Sequence, residues 1–493
     1  MSADTDFVAG RFTRAAAPEG ELVVRSPADE TEIVAVAPWS RAQVDLAVDA
    51  ARVAFPAWRR LGTTARAELL TRYQAALKAH LEDLAVAISR DVGKPLWEAR
   101  TEVQAMVSKV DLTLGEGAAF VRNVRVDGLP GEIRHRPHGV LAVLGPFNFP
   151  GHLPNGQLVP ALFTGNTVVF KPSDRGVSTA VMMARCFEEA GFPPGVFNVV
   201  QGGVPVAERL VVHPGINGVL FTGSLAVGQR IVAANAHRPG VLVALELGGK
   251  NASLVLDDAD LEGAVREIAF SGFATAGQRC TATSRVIATR GIADALGARL
   301  AAAARSIKVG HPHEDGVFMG PLISESARQA LLAAQGRALA AGFDALAGGG
   351  IAQASRRGFY VRPAVHRAPR GVHRLDGYTD VELFAPDLAL LVVADEAEAI
   401  EVANDSRFGL SASVFTASAD AFERCADELE VGVIHWNRSS AGASSRLPFG
   451  GIKASGNHRP AGILMGASCV YPLSVLLPSK PPTPLPSWPG ISF

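Results

Sequence analysis

Cys280 lies in GQRCT, Gly277 to Thr281, directly after a stretch of helical periodicity, and a cysteine in such a Gly/Gln/Thr turn is placed to act as a thiolate nucleophile. A thiol at its ordinary pKa of about 8.5 is mostly protonated at neutral pH, so it needs backbone N–H dipoles or a base to activate it. Glu246, in VALELGGKN (Val243 to Asn251), is one candidate base. Apolar residues precede it and Gly-Gly follows, a setting that desolvates a carboxylate and makes it hold its proton. Asn148, in PFNFPGH, is stiffened by aromatic and proline neighbours, and its amide could donate to a developing oxyanion; its alternative is a plain turn residue. A small buried apolar residue is the alternative for Cys280, and it is the reading for Cys186, Cys425 and Cys469.

Two further stretches could hold a nucleotide. Gly223, Ser224, Leu225, Ala226, Val227 and Gly228 follow an expected strand and open an expected helix, where N–H groups and the helix dipole suit a pyrophosphate. The run is not GxGxxG, and Gly-Ser also serves as an N-capped turn. Lys171, Ser173 and Asp174 end the strand TVVF; a carboxylate there would accept from a ribose 2′-OH and repel a 2′-phosphate, or the segment is a solvated turn. His311 and His313, in GHPHED, read as loop, and no metal site is expected.

These groups need a scaffold. Short β-rich runs, GVLAVLGP (139–146), TVVFKP (167–172), VFNVV (196–200), GVLFTGS (218–224) and VLVALELGG (241–249), alternate with segments that can be helical. Runs apolar on both faces and spaced by helices imply an α/β doubly wound parallel sheet, whose ligands bind at the carboxyl ends of the strands. Asn148, Lys171, Ser224 and Glu246 all fall there. A second α/β block has helical patterns over 261–276, 293–307 and 324–341, and strands at 285–289, 387–394, 411–415 and 432–436. Residues 40–93 carry a helical pattern ended by Gly93-Lys94-Pro95, with another following through Ala99, Val103 and Val107. Between Asn123 and His138, Val and Ile alternate with charges around Gly-Leu-Pro-Gly, a ribbon that cannot bury a face alone and is expected to lean on another subunit. A strand is expected at 468–477, then an extended Pro-rich tail over 478–490.

The 493 residues are too many for one core, and 48% hydrophobic with 19% charged residues is ordinary for a globular chain. A net charge of −1 without basic runs gives no reason to expect nucleic acid or a membrane surface as partner. Four cysteines without paired spacing argue for a reduced compartment, and with neither leader nor span expected, the location read from the sequence is cytoplasmic.

In combination and order, GPFNFP, GNTVVFKPSD, FTGS, ELGGKN, GQRCT, MGPLIS, ELFAP and PFGGIKASG resemble the aldehyde dehydrogenase superfamily over nearly the whole chain. RHRPHGVLAVLGPFNFPGHLPNG, TAGQRCT and GGIKASGNHRP look like its branch acting on succinylglutamate semialdehyde in arginine catabolism. The resemblance implies two doubly wound α/β domains, a Rossmann-like cofactor domain (1–122 and 139–248) and a catalytic domain (249–447), with an oligomerisation ribbon (123–138) and C-terminal strand and tail (466–493). It implies Cys280 as nucleophile, Glu246 as general base and Asn148 as oxyanion donor. NAD would take Lys171, Ser173 and Asp174 at the adenosine ribose, Gly223 to Gly228 at the pyrophosphate, and Glu382 and Phe384 near the nicotinamide ribose. His458 and Arg459, with His152 and Asn155 as polar partners, are candidates for the substrate carboxylates or are solvated surface residues. A homodimer or homotetramer is expected. Three places depart from the family pattern: Asp174 for the usual Glu, Ala385 for the usual Gly, and HWNRSS (435–440) for the branch's NWNKP. Another acidic or aliphatic semialdehyde, or a catalytically silent protein on the same fold, are the alternative readings.

Overall fold

The computed structural model describes residues 4–459, 461–477 and 488–491. The chain builds two seven-stranded sheets, each flanked by helices. In the first, the parallel strands Leu242–Glu246, Gly218–Thr222, Val140–Leu144, Thr167–Lys171 and Phe197–Val199 lie side by side in that order. Every residue of Val140–Leu144 and Thr167–Lys171 is buried, as strands covered on both faces must be. Asp6–Val8 and Arg11–Thr13 extend this sheet as an antiparallel edge. That edge is absent from the sequence reading because its strands are three residues long. It is held instead by the buried Asp6 carboxylate, which accepts from the Gln201 N–H at 2.7 Å and the Gln43 side chain at 2.9 Å.

The second sheet runs Asp344–Gly348, Ala364–Arg367, Asp387–Val393, Thr283–Thr289, Asn251–Val255, Ser411–Phe415 and Val433–Trp436, all parallel except the first pair. Asn251–Val255 connects the two sheets: the chain leaves the first at Glu246 and enters the second at Asn251. Each sheet packs its own apolar clusters, Leu141, Val143, Phe170 and Phe187 on one side and Val286, Leu296, Leu388 and Leu390 on the other.

The helical pattern over 40–93 divides into Arg41–Arg60, Thr63–Ala79 and Leu81–Val92. Gly62, at φ 84°, separates the first two, and Gly93, at φ 73°, ends the third in the left-handed conformation that glycine favours. Leu96–Leu114 then packs against Thr63–Ala79, Leu81–Val92 and His152–Phe163, bonds to Thr275 of the second block through Glu98, and carries Glu98, Glu102 and Lys109 among its buried residues. The ribbon forms at Val124–Arg125 and Gly131–Pro137, but its long strand pairs antiparallel with Val470–Leu476 of the same chain, making a three-stranded sheet. Residues 478–487 of the expected Pro-rich tail lie outside the described residues.

Candidate active site

Strand register fixes one wall of the site. Thr222 stands beside Glu246, Phe221 beside Leu144, and Leu144 beside Lys171, so adjacent parallel strands end in one line. The turn after Leu144 carries Asn148, buried, whose Nδ2 donates to the Gln278 carbonyl oxygen at 2.8 Å. Asn148 is thereby tied to the GQRCT turn.

The second sheet supplies the opposite wall. Helix Leu261–Phe273 passes through a tight turn over 274–277 before the strand Thr283–Thr289, and Cys280 sits in the gap. Thr275 and Ala276 have φ of 56° and 53°, values that cost a non-glycine residue on the order of 1–3 kcal/mol. Glu98 offsets that strain: it accepts from the Thr275 N–H at 3.0 Å, from the Thr275 hydroxyl at 2.7 Å and from Arg279 at 2.5 Å. Gln278 is gripped as well, accepting from the Ile323 N–H at 2.9 Å.

Cys280, Glu246, His152, Arg279, Lys109, Phe149 and Phe449 line one cavity of 340 Å³ between the two sheets. Burial pushes the Glu246 carboxyl up to about 8, against a hydrogen bond from the Ala461 backbone, and its Oε2 has no partner among the described residues. Burial also pushes the Cys280 thiol up to about 12; the carboxylates of Glu382 and Glu246 add to this, and the N–H groups of Cys280 and Thr281 oppose it. The N–H dipoles named from the sequence are in place, but desolvation outweighs them. Both shifts favour the protonated forms, a thiol at Cys280 and a carboxyl at Glu246, although Cys280 keeps a partly exposed face on the cavity.

The remaining sequence candidates separate. Ser224 caps helix Leu225–Asn235, its hydroxyl accepting from the Val227 N–H at 3.4 Å, and Ser224, Ala226 and Val227 are exposed on the helix's first turn. Gly223 donates its N–H to the Glu246 carbonyl at 3.0 Å, and Gly228 is buried where a side chain would strike Leu247. Lys171 is buried with its ammonium donating to the Gly202 carbonyl at 2.7 Å, while Ser173 donates to the exposed Asp174 at 3.2 Å. Glu382 Oε1 accepts from the Gly249 N–H at 2.9 Å, three residues past Glu246, and Phe384, at φ 54°, sets its ring edge-on to Phe147.

Three substrate candidates are not among the residues that line the Cys280 cavity. Asn155 does not line the cavity: it accepts from the Tyr73 hydroxyl at 2.9 Å and donates to the Met106 carbonyl at 3.0 Å, so both ends of its amide are committed to helix packing. His458 and Arg459 line a second cavity of 230 Å³ with Leu245 and Asn457, and Glu246 and Phe449 border both this cavity and that of Cys280; Asn457 clamps the edge strand by bonds to Leu245 N–H and Val243 carbonyl. His152 stays with Cys280, its Nδ1 buried and without a partner among the described residues. His311 and His313 lie 5.5 Å apart, and the ring of His313 bonds to Ser89. Glu98, Lys109, Asn251, Thr275 and Gln278 had no role in the sequence reading. A buried charge in an otherwise amphipathic helix was the available signal for the first two.

The chain matches the aldehyde dehydrogenase family over residues 12–470. It is 41% identical over 480 residues to an N-succinylglutamate 5-semialdehyde dehydrogenase of Chromobacterium violaceum, covering 95% of this chain and 96% of that one. The same name belongs to an Erwinia tasmaniensis protein that is 39% identical, covering 97% and 96% of the two chains. Among solved structures, an aldehyde dehydrogenase C variant from Pseudomonas syringae in complex with NAD+ and octanal superposes with a TM-score of 0.91 at 31% identity, covering 96% of each chain. Lactaldehyde dehydrogenase from Escherichia coli superposes at 0.89 with 30% identity, covering 95% of this chain and 98% of that one. With the family match spanning nearly its full length, the chain belongs to the aldehyde dehydrogenase family.

Proposed function

We propose that the protein is an NAD-dependent dehydrogenase that oxidises succinylglutamate semialdehyde to succinylglutamate. The observation that carries this reading is that Cys280 and Glu246, from different sheets, line one cavity whose curated relatives at about 40% identity act, by their names, on that semialdehyde.

The residues at the strand ends fit a dinucleotide. The capped N-terminus of helix Leu225–Asn235 suits a pyrophosphate, and Lys171 with Asp174 suits a ribose. Glu382 would reach the second ribose. Bound there, NAD supplies the acceptor for the hydride that leaves the substrate carbon.

In this reading the Cys280 sulfur, its proton passing to water, adds to the aldehyde carbon to form a thiohemiacetal. The Asn148 amide and the Cys280 N–H stabilise the oxyanion. Once the carbon is oxidised to a thioester, Glu246 takes a proton from the attacking water, the carbon–sulfur bond breaks, and the acid leaves. No helix among the described residues is long and apolar enough to cross a membrane.

The test is turnover of succinylglutamate semialdehyde against uncharged aldehydes of similar length, followed by NADH absorbance. The expected result is a kcat/KM for the diacid at least an order of magnitude higher; equal values would remove the substrate while leaving the family.

A further inference from the structure

A substrate with two carboxylates needs a cation in the cavity, and the charged residues there mostly cancel one another. Lys94 is ion-paired with Glu102, both fully buried, and Arg279 is paired with Glu98. Glu102 is saturated further, accepting from the N–H groups of Gly151 at 2.9 Å and His152 at 3.0 Å.

Lys109 differs. It is 4% exposed, lines the cavity, and its ammonium donates to one neutral acceptor, the Gly462 carbonyl at 2.7 Å. Among the described residues it has no carboxylate partner. An ammonium carries three donors, so two have no acceptor among the described residues, in a place where burial disfavours the charge. Thr101, Glu102, Ala105 and Lys109 line the cavity from one stripe of helix Leu96–Leu114, which sets Lys109 about two turns beyond Glu102. On the same cavity wall the imidazole of His152 keeps a buried Nδ1 without a partner.

We propose that Lys109 is the specificity-determining cation that receives a carboxylate of the substrate, with the neutral His152 imidazole as a second donor to it. This rests on the acidic-semialdehyde reading above and names the residue that enforces it. A carboxylate here would satisfy the unmatched donors of Lys109 and would leave the Lys94–Glu102 and Arg279–Glu98 pairs undisturbed. An uncharged aldehyde would leave the ammonium buried and unpaired, so the site discriminates by what it leaves unsatisfied. Burial holds the Lys109 ammonium down to about 8, close enough to neutrality for its charge to be titrated. The titratable groups beside it are Cys469 and His152, and Glu102 lines the same cavity.

The experiment is the ratio of kcat/KM for succinylglutamate semialdehyde to that for hexanal, in the full-length enzyme and in Lys109→Met and Lys109→Gln. Loss of a charged hydrogen bond predicts a fall in this ratio on the order of 10- to 100-fold in both variants. In the unmutated enzyme the ratio should fall as pH rises through about 8, since effects of Cys280 and Glu246 act on both substrates and cancel. A wild-type ratio near one would sink the substrate reading itself. A high wild-type ratio that both variants keep, or that is flat from pH 7 to 9 should neither variant fold, would overturn the role of Lys109 alone.

Discussion

Asn251 donates from its Nδ2 to the carbonyl oxygen of Cys280 at 2.7 Å and to that of Ala282 at 2.9 Å, while its Oδ1 accepts from the Ser411 N–H at 3.1 Å. The first residue of the strand that follows Glu246 thus fastens the segment bearing the sulfur. One short crossover, Glu246 to Asn251, sets carboxylate and thiol against each other across two sheets. Asn251→Ala would leave buried carbonyls and an N–H unsatisfied, each worth about 1–3 kcal/mol. The expected result is a lower thermal midpoint and a drop in kcat larger than any change in KM for NAD, because the strand ends proposed to hold the cofactor are untouched. Differential scanning fluorimetry with steady-state kinetics reads both.

Glu98 carries the next prediction. Its carboxylate is buried, accepts from Thr275 and Arg279, and holds a turn whose two non-glycine residues sit in the left-handed region. Breaking a buried pair by removing one partner costs about 3–5 kcal/mol, since the other charge is left unpaired. Glu98→Ala should therefore lower the denaturation midpoint markedly and slow acylation by releasing the GQRCT turn. Glu98→Gln, which can still accept from Thr275, should recover part of both, as urea unfolding and burst kinetics would register.

Periodicity made the scaffold legible where burial was uniform. Val140–Leu144, Thr167–Lys171 and Asp387–Val393 are apolar runs in the sequence and buried strands in the fold. The N-terminal strands escaped because Asp6–Val8 is stabilised by a side-chain network rather than by an apolar face. Motif order brought Cys280 and Glu246 to attention, and the fold lines one cavity with both. What sequence could not supply was direction: Asn155 and His152 lie on one helix, yet one points into packing and the other into the cavity. Nor could it give the balance at Cys280, where desolvation against N–H donation depends on how deeply the turn is enclosed.

If Cys280 is the nucleophile and Glu246 the deacylating base, their variants separate in time. Cys280→Ala should give no NADH above background at any enzyme concentration. Glu246→Gln should give a stoichiometric burst of NADH and then stall, with steady-state turnover down on the order of a hundred- to ten-thousandfold. Stopped-flow absorbance at equal enzyme concentrations decides it, and normal steady-state turnover in Cys280→Ala would refute the assignment.

The raised Glu246 carboxyl gives two pH signatures of opposite sign. As a base the group works deprotonated, so thioester hydrolysis should speed up as pH rises and level off above about 8, and Glu246→Gln should abolish the rise. For stability the folded state holds its proton from the ordinary value of 4.5 up to about 8, whereas the unfolded chain has already released it. Between these values the folded state binds more protons, so the contribution of this group is full below 4.5 and is lost as pH climbs through about 8. Glu246→Gln, which carries no charge to bury, should gain stability relative to the unmutated protein at pH 9 compared with pH 5. Thermal midpoints of both proteins across that range supply the measurement, and parallel pH profiles would mean that the carboxylate is solvated rather than buried beside the sulfur.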